Sequence, residues 1–173
     1  MFARSDERDA EFVAFVAAAQ ARLLRVAYLT CGDSHRAQDV VQTALVNVYV
    51  HWSRVDRDLG PWAYARRAVV NAALDEGRRP WRRETATDLL PDRPAEVAEA
   101  FDVELLGALR SLPKRQRAVV VLRYVEDVDV DTVAAMLGIS PGTVKSQAAR
   151  GLDNLRSQLG APTGTGRGNG APR

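Results

Sequence analysis

The segment Ser140–Leu159, SPGTVKSQAARGLDNLRSQL, constrains this chain's fold more than any other stretch. Ser140 is a good N-cap, and Pro141 suits the first helical position, where its missing N–H costs nothing. At 100° per residue Val144, Ala148, Gly151 and Leu155 share one side, with Leu152 at its edge, and that side is predicted to be buried. The other side carries Gly142, Thr143, Ser146, Ala149 and Arg150, none of them bulky and apolar. Upstream, VDTVAAML (Val130 to Leu137) predicts a short helix ending at Gly138. Two helices joined by a tight glycine turn, the second capped by Ser-Pro, have the punctuation of a helix-turn-helix. In that arrangement the Thr143/Ser146/Arg150 side would face base edges in a DNA major groove. An ordinary hairpin inside an all-α core satisfies the same pattern, so the rest of the chain has to decide.

Charge narrows the choice. Over 173 residues, 24 Lys and Arg face 22 Asp and Glu, a net +2. Any attraction for nucleic acid must therefore come from clustering. The single Cys31 excludes an intramolecular disulfide and a Cys-based zinc site, and is expected to be a small buried residue near a helix end. No apolar run approaches the ~20 residues of a membrane span, and the opening MFARSDERDAEF lacks a signal peptide's apolar stretch. The expectation is an intracellular chain with no membrane partner. His35 and His51 fall at opposite ends of a helix, roughly 24 Å apart at 1.5 Å per residue. They cannot share a metal or serve one nucleophile there. No catalytic residue, metal, cofactor or small-molecule substrate is expected.

The first half reads as three helices. Asp9 to Thr30 is amphipathic, with Phe12, Phe15, Val16, Ala19, Leu23, Val26 and Ala27 at three- and four-residue steps. Cys31-Gly32-Asp33-Ser34 breaks it. Arg36 to Trp52 comes next, with Val41, Ala44, Leu45, Val48 and Trp52 on the core side. Its opposite side carries Asp39, Gln42, Thr43, Val46 and Val50, a mixed strip that suits protein docking. A helix covered on both sides within its own domain would carry the same pattern. After a polar loop, Arg54 to Pro61, a third helix runs from about Trp62 to Gly77, with Arg66 and Arg67 on its outer side. GRRPWRRE continues the basic character through Arg78, Arg79, Arg82 and Arg83. From Pro61 to Arg83, six arginines oppose Asp75 and Glu76, a local excess of +4. Arginines interleaved with Trp62, Tyr64 and Trp81 suit phosphates plus stacking on unpaired bases, although a solvated helix end can look alike.

From Glu84 to about Glu99 the chain turns acidic and proline-containing, the composition of a linker. The tail GAPTGTGRGNGAPR is Gly- and Pro-rich and expected to be disordered. Between them lie four helices: Asp102 to Ser111, then KRQRAVVVLRYVE after Leu112-Pro113, then the helix-turn-helix pair. Lys114, Arg115 and Arg117 stand at a helix start beside the candidate recognition helix, where side chains and backbone N–H groups can clamp phosphates.

Residues about 11–83 and 102–159 together resemble the extracytoplasmic-function sigma factors of bacterial RNA polymerase. DVVQTALVNVYVHW is similar to the family's docking helix, with Thr43 where an acidic residue is usual. PWAYARRAVVNAALDEGRRPWRRE is similar to its −10 segment, with Asn71, Asp75 and Arg78 on matching positions. LPKRQRAVVVLRYVEDVDVDTVAAMLGISPGTVKSQAARGLDNLR is similar to its sigma-4 domain, with Gln147 where a cation is common.

The resemblance implies an all-α fold of two small domains. These are a sigma-2-like bundle over 9–83 and a sigma-4-like helix-turn-helix domain over 102–159, joined by a flexible acidic linker (84–101) and followed by a disordered tail (160–173). It implies a promoter-specificity subunit, not an enzyme. Its partners would be core RNA polymerase, promoter DNA and an anti-sigma factor. Asp39, Gln42, Thr43 and Val46 would bind polymerase. Trp62, Tyr64, Arg66, Arg67, Asn71, Arg78 and Arg79 would hold the −10 strand. Thr143, Lys145, Ser146, Gln147 and Arg150 would read the −35 duplex, with Lys114, Arg115 and Arg117 on its backbone. The competing reading is a stand-alone dimeric helix-turn-helix regulator, for which the strip around Val46 would be the dimer surface.

Overall fold

The structure is a computed structural model that describes residues 2–55, 60–76 and 101–160. The described residues form helices and no strand. Helix α1 (Phe2–Cys31) stops at Gly32, whose N–H donates to the Tyr28 carbonyl while its backbone turns left-handed at φ +77°. Asp33 then caps α2 (Ser34–Val50), its carboxylate accepting from the Arg36 N–H at 2.8 Å. A 3-10 turn (Trp52–Arg54) comes next, and α3 (Gly60–Glu76) starts with Pro61 in its first turn. These three helices each pack on the other two. Their core includes Leu23, Val26, Tyr28, Val48, Val69 and Val70, all fully buried. Each large side chain there contributes about 1.5–3 kcal/mol. Phe12, Phe15, Tyr49 and Trp52 close one end of the bundle, with ring centroids 5.0–6.5 Å apart.

The second group begins with α4 (Val103–Ser111), capped by Asp102. Helix α5 (Lys114–Val120) runs into a π-helical turn, Val121–Val125. Helix α6 (Val130–Leu137) ends at Gly138, whose φ of +63° is the left-handed cap a glycine adopts without a Cβ clash. Helix α7 (Pro141–Leu159) buries Val144, Ala148, Gly151 and Leu155, the face its periodicity predicts. Gly151 is needed there for space. A Cβ at that position would lie 2.6 Å from Cγ2 of Val120 in α5.

Two features go beyond what the sequence reveals. Asp6–Cys31 of α1 is long and apolar enough to cross a membrane by length and composition alone. Its alanines raise the average without making one unbroken apolar run, so no span stands out in the sequence. Here it is the core helix of the bundle. The two groups of helices, whose relative placement the sequence leaves open, pack against each other: α4 and α5 lie on α1, and α5 and α6 reach α3. Charged side chains do much of the joining, and hydrophobic periodicity cannot foresee that. The expected linker, Arg78, Arg79 and the tail beyond Gly160 lie outside the described residues.

Candidate nucleic-acid and partner interfaces

The start of α7 is a finished cap. Ser140 Oγ accepts from the Thr143 N–H at 3.1 Å and meets the Thr143 hydroxyl at 2.8 Å. Lys145, Ser146 and Arg150 are exposed on the side away from the core, and Thr143 is half-exposed beside them. The Ser146 hydroxyl donates to the Thr143 carbonyl at 3.0 Å, which holds it on the helix surface. Gln147 is half-buried, and its Oε1 is buried with no donor among the described residues. Behind this face α7 is pinned by Asn154 to Gln116 and by Gln158 to Ser111. One helix upstream, Asp129 caps α6 by accepting from both the N–H and the hydroxyl of Thr132. These hydrogen bonds hold its carboxyl below the usual carboxylate range.

At the start of α5, Lys114 and Arg115 are exposed. Arg117 is not: it is 7% exposed and lies against the first group of helices. Its Nη2 donates to the Leu112 carbonyl at 3.4 Å, and a Cβ on Gly32 would come within 2.7 Å of its Nη1. Burial pushes its pKa down from the ordinary arginine value. The expectation that Arg117 contacts a DNA backbone is therefore corrected for this arrangement. Its side chain is covered by the first group of helices around Gly32, a surface the sequence does not reveal.

Helix α2 has two distinct sides. Ala37, Val40, Val41, Ala44, Leu45 and Val48 are buried. Asp39, Gln42, Thr43, Val46 and Val50 face outward, with Val46 62% and Val50 66% exposed. Within the described residues no second layer covers this strip.

The cationic side of α3 is divided. Arg67 and Tyr64 are exposed, and Trp62 and Asn71 are half-buried. Arg66, expected on the outer side, keeps only 11% of its side chain exposed, because it points at Glu126 from the second group, 3.8 Å away. Glu126 lies just past the π-helical turn and closes it through its own N–H to the Val121 carbonyl. Such a turn adds a residue and re-aims the chain beyond it. The Glu126 carboxylate, 0% exposed, also accepts from Arg22 Nη2 at 2.9 Å and Arg25 Nη2 at 3.1 Å. The Arg22 guanidinium stacks 4.1 Å over the Trp62 ring. Burial lowers the Arg66 pKa, the Glu126 charge opposing it. A second polar contact, Arg110 Nη2 donating to the Tyr28 hydroxyl at 3.1 Å, joins the same two groups. Sequence reasoning misses Arg22, Arg25 and Glu126. A glutamate at a helix end and two arginines on an amphipathic helix carry no spacing signal of their own. Among the described residues no three His, Cys, Asp or Glu side chains group as metal ligands.

Comparison with known proteins fits this architecture. Residues 15–83 match the family described as Sigma-70 region 2, and residues 102–155 match Sigma-70, region 4. The chain is thus a two-region protein of the sigma-70 class. It is 37% identical over 152 residues to the RNA polymerase sigma-E factor of Streptomyces coelicolor, covering 86% of each chain. It is also 37% identical over 143 residues to the ECF RNA polymerase sigma factor SigM of Mycobacterium tuberculosis, covering 80% of this chain and 72% of the relative. The chain belongs to the ECF family of RNA polymerase sigma factors. In fold it is similar to the sigma factor RpoE of Bartonella quintana, solved with the anti-sigma factor NepR, at TM-score 0.73 and 20% identity over 88% of this chain and 98% of that one. It is likewise similar to CnrH, solved with the cytosolic domain of CnrY, at TM-score 0.64 and 23% identity over 90% and 91%.

Proposed function

We propose that this chain is a promoter-specificity subunit that binds core RNA polymerase and directs initiation at −10 and −35 elements, in the cytoplasm, without performing chemistry itself. The observation that carries this reading is an outward-facing, Ser-capped recognition helix on the same chain as an uncovered Gln42/Val46/Val50 strip. One surface suits base edges and the other suits a protein. Residues 9–83 serve docking and the −10 strand, 102–159 serve the −35 duplex, 84–101 tether the two, and 160–173 form a tail. Thr143, Lys145, Ser146, Gln147 and Arg150 read the −35 groove, while Lys114 and Arg115 hold its phosphates. Asp39, Gln42, Thr43 and Val46 bind polymerase. Trp62, Tyr64, Arg66, Arg67, Asn71, Arg78 and Arg79 hold the −10 strand by charge and stacking. An anti-sigma factor is a fitting partner, as the RpoE relative was solved with one and CnrH with the cytosolic domain of CnrY. The family relationship favours this reading over a stand-alone dimeric regulator.

The test is reconstitution with core polymerase on a promoter library, with transcript starts then mapped. A shared −10/−35 pattern that vanishes with Gln42→Ala/Val46→Asp is expected. Starts indistinguishable from core polymerase alone contradict the proposal.

A further inference from the structure

Resting on that reading, we infer that Arg22, Arg25 and Arg66, with Trp62 at their edge, form a phosphate cradle. In the free chain Glu126 of the second region fills it, and a backbone phosphate of the opened promoter strand takes its place. The three guanidinium groups come from two helices of the first region and converge within 2.9–3.8 Å of one carboxylate. Planar forks of this kind suit carboxylate and phosphate alike, and the tetrahedral phosphate points its two non-bridging oxygens and its ester oxygens in directions a planar carboxylate does not reach. The cradle has donors that Glu126 does not use: Arg25 Nε, Arg66 Nε and Trp62 Nε1 are buried with no acceptor among the described residues. Trp62, already stacked under Arg22, offers its ring to an adjacent base.

Distance requires the exchange. A compact chain of 173 residues has a diameter of about 40 Å. Elements centred roughly 25 base pairs apart lie about 85 Å apart along the duplex. Both cationic surfaces cannot reach one promoter while Glu126 sits among the arginines. The segment 77–100, fully extended, spans at most about 80 Å, enough to let the two regions separate.

The test uses the free full-length chain and a short fluorescein-labelled single-stranded DNA, without polymerase. Glu126→Gln keeps the shape and removes the charge, and should bind the probe about tenfold more tightly, because the closed form no longer withholds the site. Adding Arg22→Gln and Arg25→Gln should abolish that gain and flatten the dependence of log affinity on log salt by roughly one. In a second measurement that needs no variant, the wild-type radius of gyration in small-angle scattering should rise when the probe binds. An unchanged affinity for Glu126→Gln, a gain that survives loss of both arginines, or bound probe with no expansion would each overturn the inference. Failure of the sigma reading is seen separately: wild type with core polymerase would then give no specific starts, whatever the probe does.

Discussion

Two cationic surfaces on this chain have opposite fates. On α7, Lys145 and Arg150 stand in solvent above a face locked to the core by Val144, Ala148 and Leu155. On α1 and α3, Arg22, Arg25 and Arg66 are turned onto a buried carboxylate from the other region. One surface is open to solvent and the other is occupied. The difference is one of context, since both are built from arginines on helices. A cation off the core stripe of its helix stays in solvent only if nothing docks there.

The contrast can be broken first at its open end. Arg150→Ala should cost about 1–3 kcal/mol of discrimination among −35 variants in holoenzyme binding. Its melting temperature should stay where the wild type's is, because the side chain is exposed and stands away from the core. Arg117 should behave in the opposite way. Arg117→Ala removes a buried guanidinium at the seam and should lose about 1–3 kcal/mol in urea unfolding. Arg115→Ala, two residues away and exposed, should stay within about 0.5 kcal/mol. If both change stability equally, the seam is not where the structure puts it.

Smaller effects probe what holds the open face in place. Gly151→Ala gains about 1 kcal/mol of helix propensity but forces a methyl against Val120, at an overpacking cost of about 1–3 kcal/mol. The net expectation is a loss of about 1 kcal/mol by thermal melting. The Asp129 cap sharpens the picture by pH. Its folded-state pKa is depressed by Thr132, so its contribution is whole above the ordinary carboxylate pKa and is lost as pH falls through the lower folded value. The amide introduced by Asp129→Asn could still cap but could not titrate. The stability gap between wild type and this variant should therefore close on acidification, and a gap independent of pH would mean that the carboxylate's charge is not what caps α6.

Much of the fold was legible from local chemistry. Asp33, Asp102 and Ser140 are capping side chains recognisable by type, Gly138 is a stop, and the buried face of α7 follows from 3.6-residue periodicity. The outward strip of α2 was legible because valines beside Gln42 and Thr43 break the usual polar face. The seam was not. Its members are Arg22, Arg25, Arg66 and Arg117 against Glu126 and Gly32, residues that sequence logic assigns to solvent or to a turn. Only the π-helical turn at Val121–Val125, which periodicity does not encode, brings Glu126 round to meet them.

The most direct test of the account is energy transfer between dyes on Ser53→Cys and Ser157→Cys, one exposed position in each region, with Cys31→Ser removing the native thiol. The account predicts high transfer in the free chain and low transfer once core polymerase and promoter DNA are bound. Transfer that stays equally high in the initiating complex would contradict it.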